Sequence, residues 1–409
     1  MPFEATRVMD QRLRFVAECL QGERPTTALC QAYGISRQTG YTWLARYRAD
    51  GPAGLVDHAR APRRPGNSMA ADVADAIVAL RRERPHWDPK KLKAVLAQRQ
   101  PAQAWPAAST IGDLLQRRGL ITARRRRRAA VPAAQPFPAA TAPNQRWCID
   151  FKGWFRTRDG QRCDPLTLTD AASRYLLALE IVAPTSGPVE AAVDRLLQEH
   201  GLPERLLMDN GPPFAASGAG GLTRLSVKWL KLGIALERIT PGRPQENGRH
   251  ERMHRTLKAE TSRPPAASPG EQQARFDAFR EDFNHHRPHE ALGQRPPASC
   301  WHPSPRPYPA KLEEPWYDAE HAVRRVRSDG GIKWAGAQVF VSEALVGEPV
   351  GIVALESGDW LVRFADLDLG LIERKSRKLT RFTAARPGRR EAEPTGNGVN
   401  DVPGPECQA

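Results

Sequence analysis

Residues 146–182 read RWCIDFKGWFRTRDGQRCDPLTLTDAASRYLLALEIV, and this stretch decides the fold. Its apolar, β-branched and aromatic residues come in short runs broken by turn residues, the pattern of strands rather than helices. Arg146–Arg156 reads as a strand ending in aromatics, with Asp159 and Gly160 as a hairpin turn. Leu166–Thr169 and Tyr175–Val182 continue it as an antiparallel meander. Downstream the period changes. Pro188–His200 is an amphipathic helix with Val189, Val193, Leu196 and Leu197 on one side, and Arg205–Met208 is a short strand. Leu222–Leu232 is helical, Ile234–Arg238 is a strand, and Glu246–Lys258 is a helix entered through the loop TPGRPQ.

Antiparallel strands followed by alternating helices and strands is the order of an RNase H-like α/β core with a mixed sheet, spanning 146–300. Three carboxylates stand where such a core can gather them: Asp150 ends RWCID, Asp209 lies inside LLMDNG, and Glu246 opens ENGRHERMHRTLK. Asp209 before Asn-Gly could alone be turn chemistry, and Glu246 could alone complement a helix N-terminus. Asp150 is harder to explain that way, since an acid closing an apolar strand needs a partner or a metal. Together they offer hard oxygen ligands to two Mg²⁺ ions about 3.5–4 Å apart, with Asp150 bridging and Asp209 and Glu246 each completing one ion. Mn²⁺ can replace Mg²⁺ in such a site. Along the helix, Glu246, His250, Met253 or His254, Leu257 and Lys258 recur at steps of three or four residues, so His250 and Lys258 can line the face of the acid.

The chain has 409 residues, enough for several domains, and carries 61 Lys/Arg against 46 Asp/Glu. The surplus is uneven: residues 1–135 hold 24 Lys/Arg and 11 Asp/Glu, which implies a polyanionic partner for that third. Residues 1–50 read as a helix-turn-helix: one helix from Met9 to Cys19, a second from Thr26 to Tyr33, a turn at Gly34, and a third capped by Ser36. Leu29, Tyr33, Ile35 and Trp43 fill its core, while Arg37, Gln38, Thr39 and Thr42 face a DNA major groove. Residues 69–122 resemble a second such unit, with helices over Ala70–Arg84, Pro89–Gln100 and Ser109–Arg118 closed by Gly119. Residues 123–145 form a linker that opens with Arg124, Arg125, Arg126, Arg127 and Arg128, suited to sequence-independent phosphate contact.

A helix over Glu271–Asn284 leads into NHHRPHEALGQRPPAS. Short alternating strands between Gly turns suggest a small β-barrel over 318–385, and residues 386–409 are polar and Pro/Gly-rich, the composition of a disordered tail. The six cysteines form no CxxC pair. With no secretory signal and no span of ~20 apolar residues, a soluble cytoplasmic protein with no membrane partner is expected.

The segments RWCID, LLMDNGPPF, PGRPQENGRHERMHRTLK and FNHHRPHEALGQRPP resemble the signatures of bacterial insertion-sequence transposases of the DDE class, whose catalytic core is retroviral-integrase-like. The likeness extends over nearly the whole chain. It implies that Asp150, Asp209 and Glu246 match the catalytic triad; 36 residues separate the last two, close to the family's spacing. It implies Mg-dependent cleavage of double-stranded DNA at the element's ends, then strand transfer into target DNA by the liberated 3′-hydroxyl, without ATP. It also implies a dimer or higher assembly on DNA, and a matching role for Lys258 at the terminal phosphate or an adjacent base. Nothing here has the paired His and Cys spacing of the integrase zinc module, so no zinc is expected. Two rival classes remain: an RNase H-like nuclease that cuts without joining, and a DNA-binding regulator descended from a transposase.

Overall fold

The computed structural model describes residues 8–57, 69–121, 139–240 and 248–382. Arg124–Arg128, Glu246 and the tail expected from 386 lie outside the described residues. The chain divides into two compact units, residues 1–70 and 71–409.

In the first unit, α1 (Val8–Gln21), α2 (Thr26–Ala32) and α3 (Arg37–Asp50) enclose Phe15, Val16, Leu29, Cys30, Leu44 and Leu55. Tyr33, Ile35 and Trp43 pack against that core as the sequence predicts. Gly34 takes φ +64°, which lets the chain turn between α2 and α3. Ser36 Oγ then accepts the Thr39 N–H at 3.1 Å and caps α3. Gly40 permits the close crossing of the helices: a Cβ there would lie 2.4 Å from Cys30 Sγ and 3.0 Å from Phe15 Cζ.

The second unit begins with α4 (Ala71–Glu83), α5 (Pro89–Arg99) and α6 (Ala108–Arg117), packed through Ile77, Leu92, Ile111 and Leu115. Asp88 caps α5 by accepting the Lys90 and Lys91 N–H groups at 3.0 and 3.1 Å. Ser109, expected to start the third helix, lies inside α6; Ala107 is the N-cap and makes no side-chain bond. Arg84 to Asp282 and Lys90 to Glu290 tie this helical group to the core that follows.

That core is a five-stranded mixed sheet. Its strands are β1 (Trp147–Phe151), β4 (Pro165–Asp170), β5 (Leu176–Ile181), β6 (Arg205–Met208) and β7 (Ala235–Arg238), in the order β5-β4-β1-β6-β7. β4 runs antiparallel to both β1 and β5, while β6 is parallel to β1 and β7 parallel to β6. The ribbon β2 (Phe155–Arg156) and β3 (Arg162–Cys163) lies between β1 and β4 in sequence. This is the RNase H-like α/β architecture expected from the sequence.

Alternation along the strands divides the two faces. Trp147, Ile149, Leu166 and Leu168 point toward α7 (Ser186–His200) and α8 (Arg224–Lys231), meeting Val189, Val193, Leu196, Leu197 and Trp229. Each such buried side chain contributes about 1.5–3 kcal/mol. On the other face, α9 (Gly248–Thr261) and α10 (Pro269–Glu281) bring Met253, Leu257, Phe276 and Phe279 onto Leu176 and Leu179.

After the core come β8 (Ala322–Arg325), β9 (Gly331–Trp334), β10 (Ala337–Phe340), β11 (Pro349–Ala354), β12 (Trp360–Phe364), β13 (Leu367–Ile372) and β14 (Leu379–Arg381). Among the described residues they form an antiparallel sheet, β14-β13-β12-β11-β8, and a separate ribbon, β9-β10. Among the described residues the outermost strands β14 and β8 do not pair, so the strand order does not confirm closure of the small barrel expected from the sequence. The sheet's apolar residues form one cluster with Ile332 and Val339 of the ribbon and with Ala219, Leu222 and Val227 of the core.

Candidate active site

The site grows from the pairing of two parallel strands. β1 aligns Trp147 with Leu206 and Cys148 with Leu207. The same offset, carried along both strands, sets Asp150 beside Asp209 at their carboxyl ends. Asp150 alternates with Ile149, so it leaves the sheet on the face covered by α9.

Asp150 is mostly buried, its side chain 24% exposed. Burial pushes its carboxyl up to about 7, and the charges of Asp209 and, more weakly, Glu251 push the same way. The Phe151 N–H and the Lys152 ammonium oppose them. Asp209 is also raised by burial, against the Gly211 N–H and the Arg238 guanidinium. Asp209 Oδ1 accepts that Gly211 N–H at 3.2 Å, so it shapes the Asn-Gly turn as well as facing Asp150.

A neighbouring acid shows what a structural carboxylate looks like here. Asp170, 1% exposed, accepts the N–H groups of Asn144, Ala172 and Ser173 and the Ser173 hydroxyl, at 2.6 to 3.1 Å. Asp150 has no such set of donors. Two buried acids, one of which raises the other by its charge, are a donor set for hard divalent cations, which relieve the repulsion.

Glu246 lies outside the described residues, so its position relative to these acids is not part of the site described. The acid of α9 whose charge reaches Asp150 is Glu251, in the first described turn of the helix and exposed. The sequence reading passed over it. Glu251 and Lys258 stand seven residues apart, two helical turns, and so share one face. Lys258 is exposed, and its charge together with burial lowers the Lys152 ammonium, which Asp150 raises. Lys152, another residue the sequence reading did not single out, therefore stands between Asp150 and Lys258 electrostatically.

His250 was expected on a DNA-facing surface. It is instead 2% exposed, with Nδ1 2.9 Å from Thr169 Oγ1 and Nε2 2.7 Å from Thr167 Oγ1. His254 Nε2 also lies 2.7 Å from Thr167 Oγ1. Burial lowers the two rings to about 3 and about 2, so both are neutral. The helix period explains the correction: His250 projects with Met253, His254 and Leu257 into the sheet, leaving Glu251, Arg252, Arg255 and Lys258 outside. His289 is half-buried, edge-on to Phe283 at 4.7 Å between ring centroids, while His285 is exposed. Among the described residues, Asp150, His250 and His254 are the side chains grouped closely enough to hold a metal ion.

On α3, Arg37, Gln38 and Thr42 are exposed, while Thr39 is half-buried beside Ser36. Tyr41 shares the exposed face and is 54% exposed, an addition to the residues expected there. On the β2–β3 ribbon, Trp154 is 56% exposed with the Arg156 and Arg162 guanidinium groups 5.9 and 5.1 Å from its ring.

Residues 140–244 and 232–297 match two families, each described as an integrase core domain. Residues 11–66 match a helix-turn-helix domain and residues 39–115 a homeodomain-like domain. The chain is 28% identical over 248 residues to the insertion element IS407 uncharacterized 31.7 kDa protein of Burkholderia multivorans, covering 59% of this chain and 86% of that one. It is 28% identical over 186 residues to the insertion element IS476 uncharacterized 39.2 kDa protein of Xanthomonas euvesicatoria, covering 44% of this chain and 51% of that one. Among solved structures it resembles the catalytic core domain of BIV integrase, with 22% identity, a TM-score of 0.29, and 38% and 92% of the two chains covered. No helix among the described residues is long and apolar enough to cross a membrane. The chain carries integrase core and helix-turn-helix domains and is similar to proteins of bacterial insertion elements, the make-up of a DDE polynucleotidyl transferase.

Proposed function

We propose that this enzyme binds the double-stranded ends of an insertion sequence, nicks them, and joins the freed 3′-hydroxyl to target DNA at a site formed by Asp150, Asp209 and Glu251. The observation that carries this reading is the adjacency of Asp150 and Asp209, with Glu251 close enough for its charge to raise Asp150. Two Mg²⁺ ions, or Mn²⁺ in their place, would activate the attacking oxygen and offset charge on the leaving one. Both steps are in-line displacements that exchange one phosphodiester oxygen for another, so no ATP is consumed. Lys258 and Lys152 give the scissile phosphate a cationic wall, and the exposed face of α3 reads base edges at the element's end. Joining two ends calls for a dimer or higher assembly on the DNA. Arg124–Arg128 add phosphate contact between the end-reading helices and the core, in a protein that works at the nucleoid.

The test is strand transfer of a pre-cut element end in Mg²⁺. Asp150→Asn, Asp209→Asn and Glu251→Gln each lower joining by about a thousandfold, a loss of several kcal/mol of transition-state stabilisation, while end binding is retained. Glu246→Gln stays within a few-fold of wild type. Loss of joining in Glu246→Gln with activity in Glu251→Gln would return the third position to Glu246. Joining that survives every change removes the mechanism, and cutting without joining assigns a nuclease.

A further inference from the structure

The hydrogen bonds under Asp150 fix more than its position. Thr167 sits opposite Asp150 in the β1–β4 pairing, and its hydroxyl lies 2.9 Å from the Asp150 carbonyl oxygen. A carbonyl only accepts, so the single Thr167 hydroxyl proton is committed to it. The Nε2 atoms of His250 and His254, both 2.7 Å from the same hydroxyl, must then each donate to it. His250 Nδ1 accepts the Thr169 hydroxyl, at 2.9 Å, so both its nitrogens are used. His254 differs: with its proton on Nε2, Nδ1 carries a lone pair, and that atom faces Asp150 Oδ2 at 3.8 Å. The separation is too long for a hydrogen bond and sets two electron-rich atoms toward one another. It lies within the sum of one metal–oxygen and one metal–nitrogen bond, about 4 Å.

We propose that His254 Nδ1 is a ligand to the divalent ion held by Asp150, and that this nitrogen makes the site favour Mn²⁺ over Mg²⁺. The inference rests on the reading of Asp150 as a metal ligand. Imidazole suits borderline transition ions better than it suits Mg²⁺, which prefers carboxylates and water. His250, though it belongs to the same cluster, is excluded because it has no free lone pair. The tautomer of His254 is set by a partner on its other nitrogen, as in many metal-binding histidines.

The experiment is pulsed electron paramagnetic resonance of Mn²⁺ bound to the full chain, prepared with natural-abundance nitrogen and with ¹⁵N-histidine. The wild type is expected to show directly coordinated ¹⁴N modulation that is replaced by ¹⁵N coupling in the labelled protein. His254→Asn and His254→Leu lose the coupling and bind Mn²⁺ about tenfold more weakly, with a smaller change for Mg²⁺. Mn²⁺ that binds the wild type, is lost in Asp150→Ala and carries no histidine nitrogen overturns the proposal while leaving the acidic site intact. Mn²⁺ binding that is unchanged in Asp150→Ala sinks the acidic-site reading and the proposal with it. Should neither His254 variant fold, the labelled wild type decides alone.

Discussion

At Asp150 two demands oppose each other. The residue is buried enough to hold a dry, oriented oxygen ligand, yet burial and the charges of Asp209 and Glu251 push its carboxyl up to about 7. A carboxyl raised in the folded state costs stability as pH climbs from the ordinary carboxylate range through about 7, and the cost is complete above it. Without divalent ions, Asp150→Asn is therefore expected to melt higher than wild type at pH 8 and level with it near pH 4, measured by thermal unfolding. Magnesium affinity should fall in calorimetry as pH drops below about 7, because protons compete for the same oxygens. Asp150 and Asp209 were legible in the sequence as acids that end apolar strands. For a third acid ENGRHE offers two glutamates, Glu246 and Glu251. Among the described residues of α9, Glu251 is the acid whose charge reaches Asp150.

At the scale of elements, matched repeats decide what meets. Thr167 and Thr169 are two residues apart on β4, and His250 and His254 are four apart on α9. Both intervals span about 6–7 Å on one face, so His250 bridges the two hydroxyls and His254 joins it on Thr167. α3 depends on Gly40 in a comparable way. Gly40→Leu would drive a side chain into Cys30 and Phe15, and should cost about 1–3 kcal/mol in denaturant unfolding and weaken end binding. At the head of α8, Thr223 and Ser226 form a reciprocal capping box. Thr223→Ala should lower stability by about 1 kcal/mol in the same measurement.

Across the whole molecule, charge and shape separate holding DNA from reading it. Lys258→Ala is expected to weaken binding alike on element ends and unrelated DNA, and to reduce the slope of log affinity against log salt by about one. Arg37→Ala and Tyr41→Ala, on the exposed face of α3, should instead lower discrimination between the true end and scrambled sequence. Competition gels at several salt concentrations distinguish the two behaviours. The carboxy-terminal sheet has its apolar face against Ala219, Leu222 and Val227, with Lys231 paired to Glu348 at 2.9 Å. That sheet thus shares its apolar cluster with both the β9–β10 ribbon and the core, which strand patterns alone could not disclose.

Periodicity, turn residues and caps are local, so the chain's own order of residues determined the kinds of element and their succession. It marked the meander of β1, β4 and β5, the short strand before Asp209, the Ser36 cap of α3 and the helix that carries Lys258. Tertiary structure alone decided which side chains share a space. Strand register placed Asp209 beside Asp150, and the rotation of α9 buried His250 and His254 while leaving Glu251 and Lys258 outside. Register and rotation are set by packing between segments far apart along the chain, and no local pattern records them.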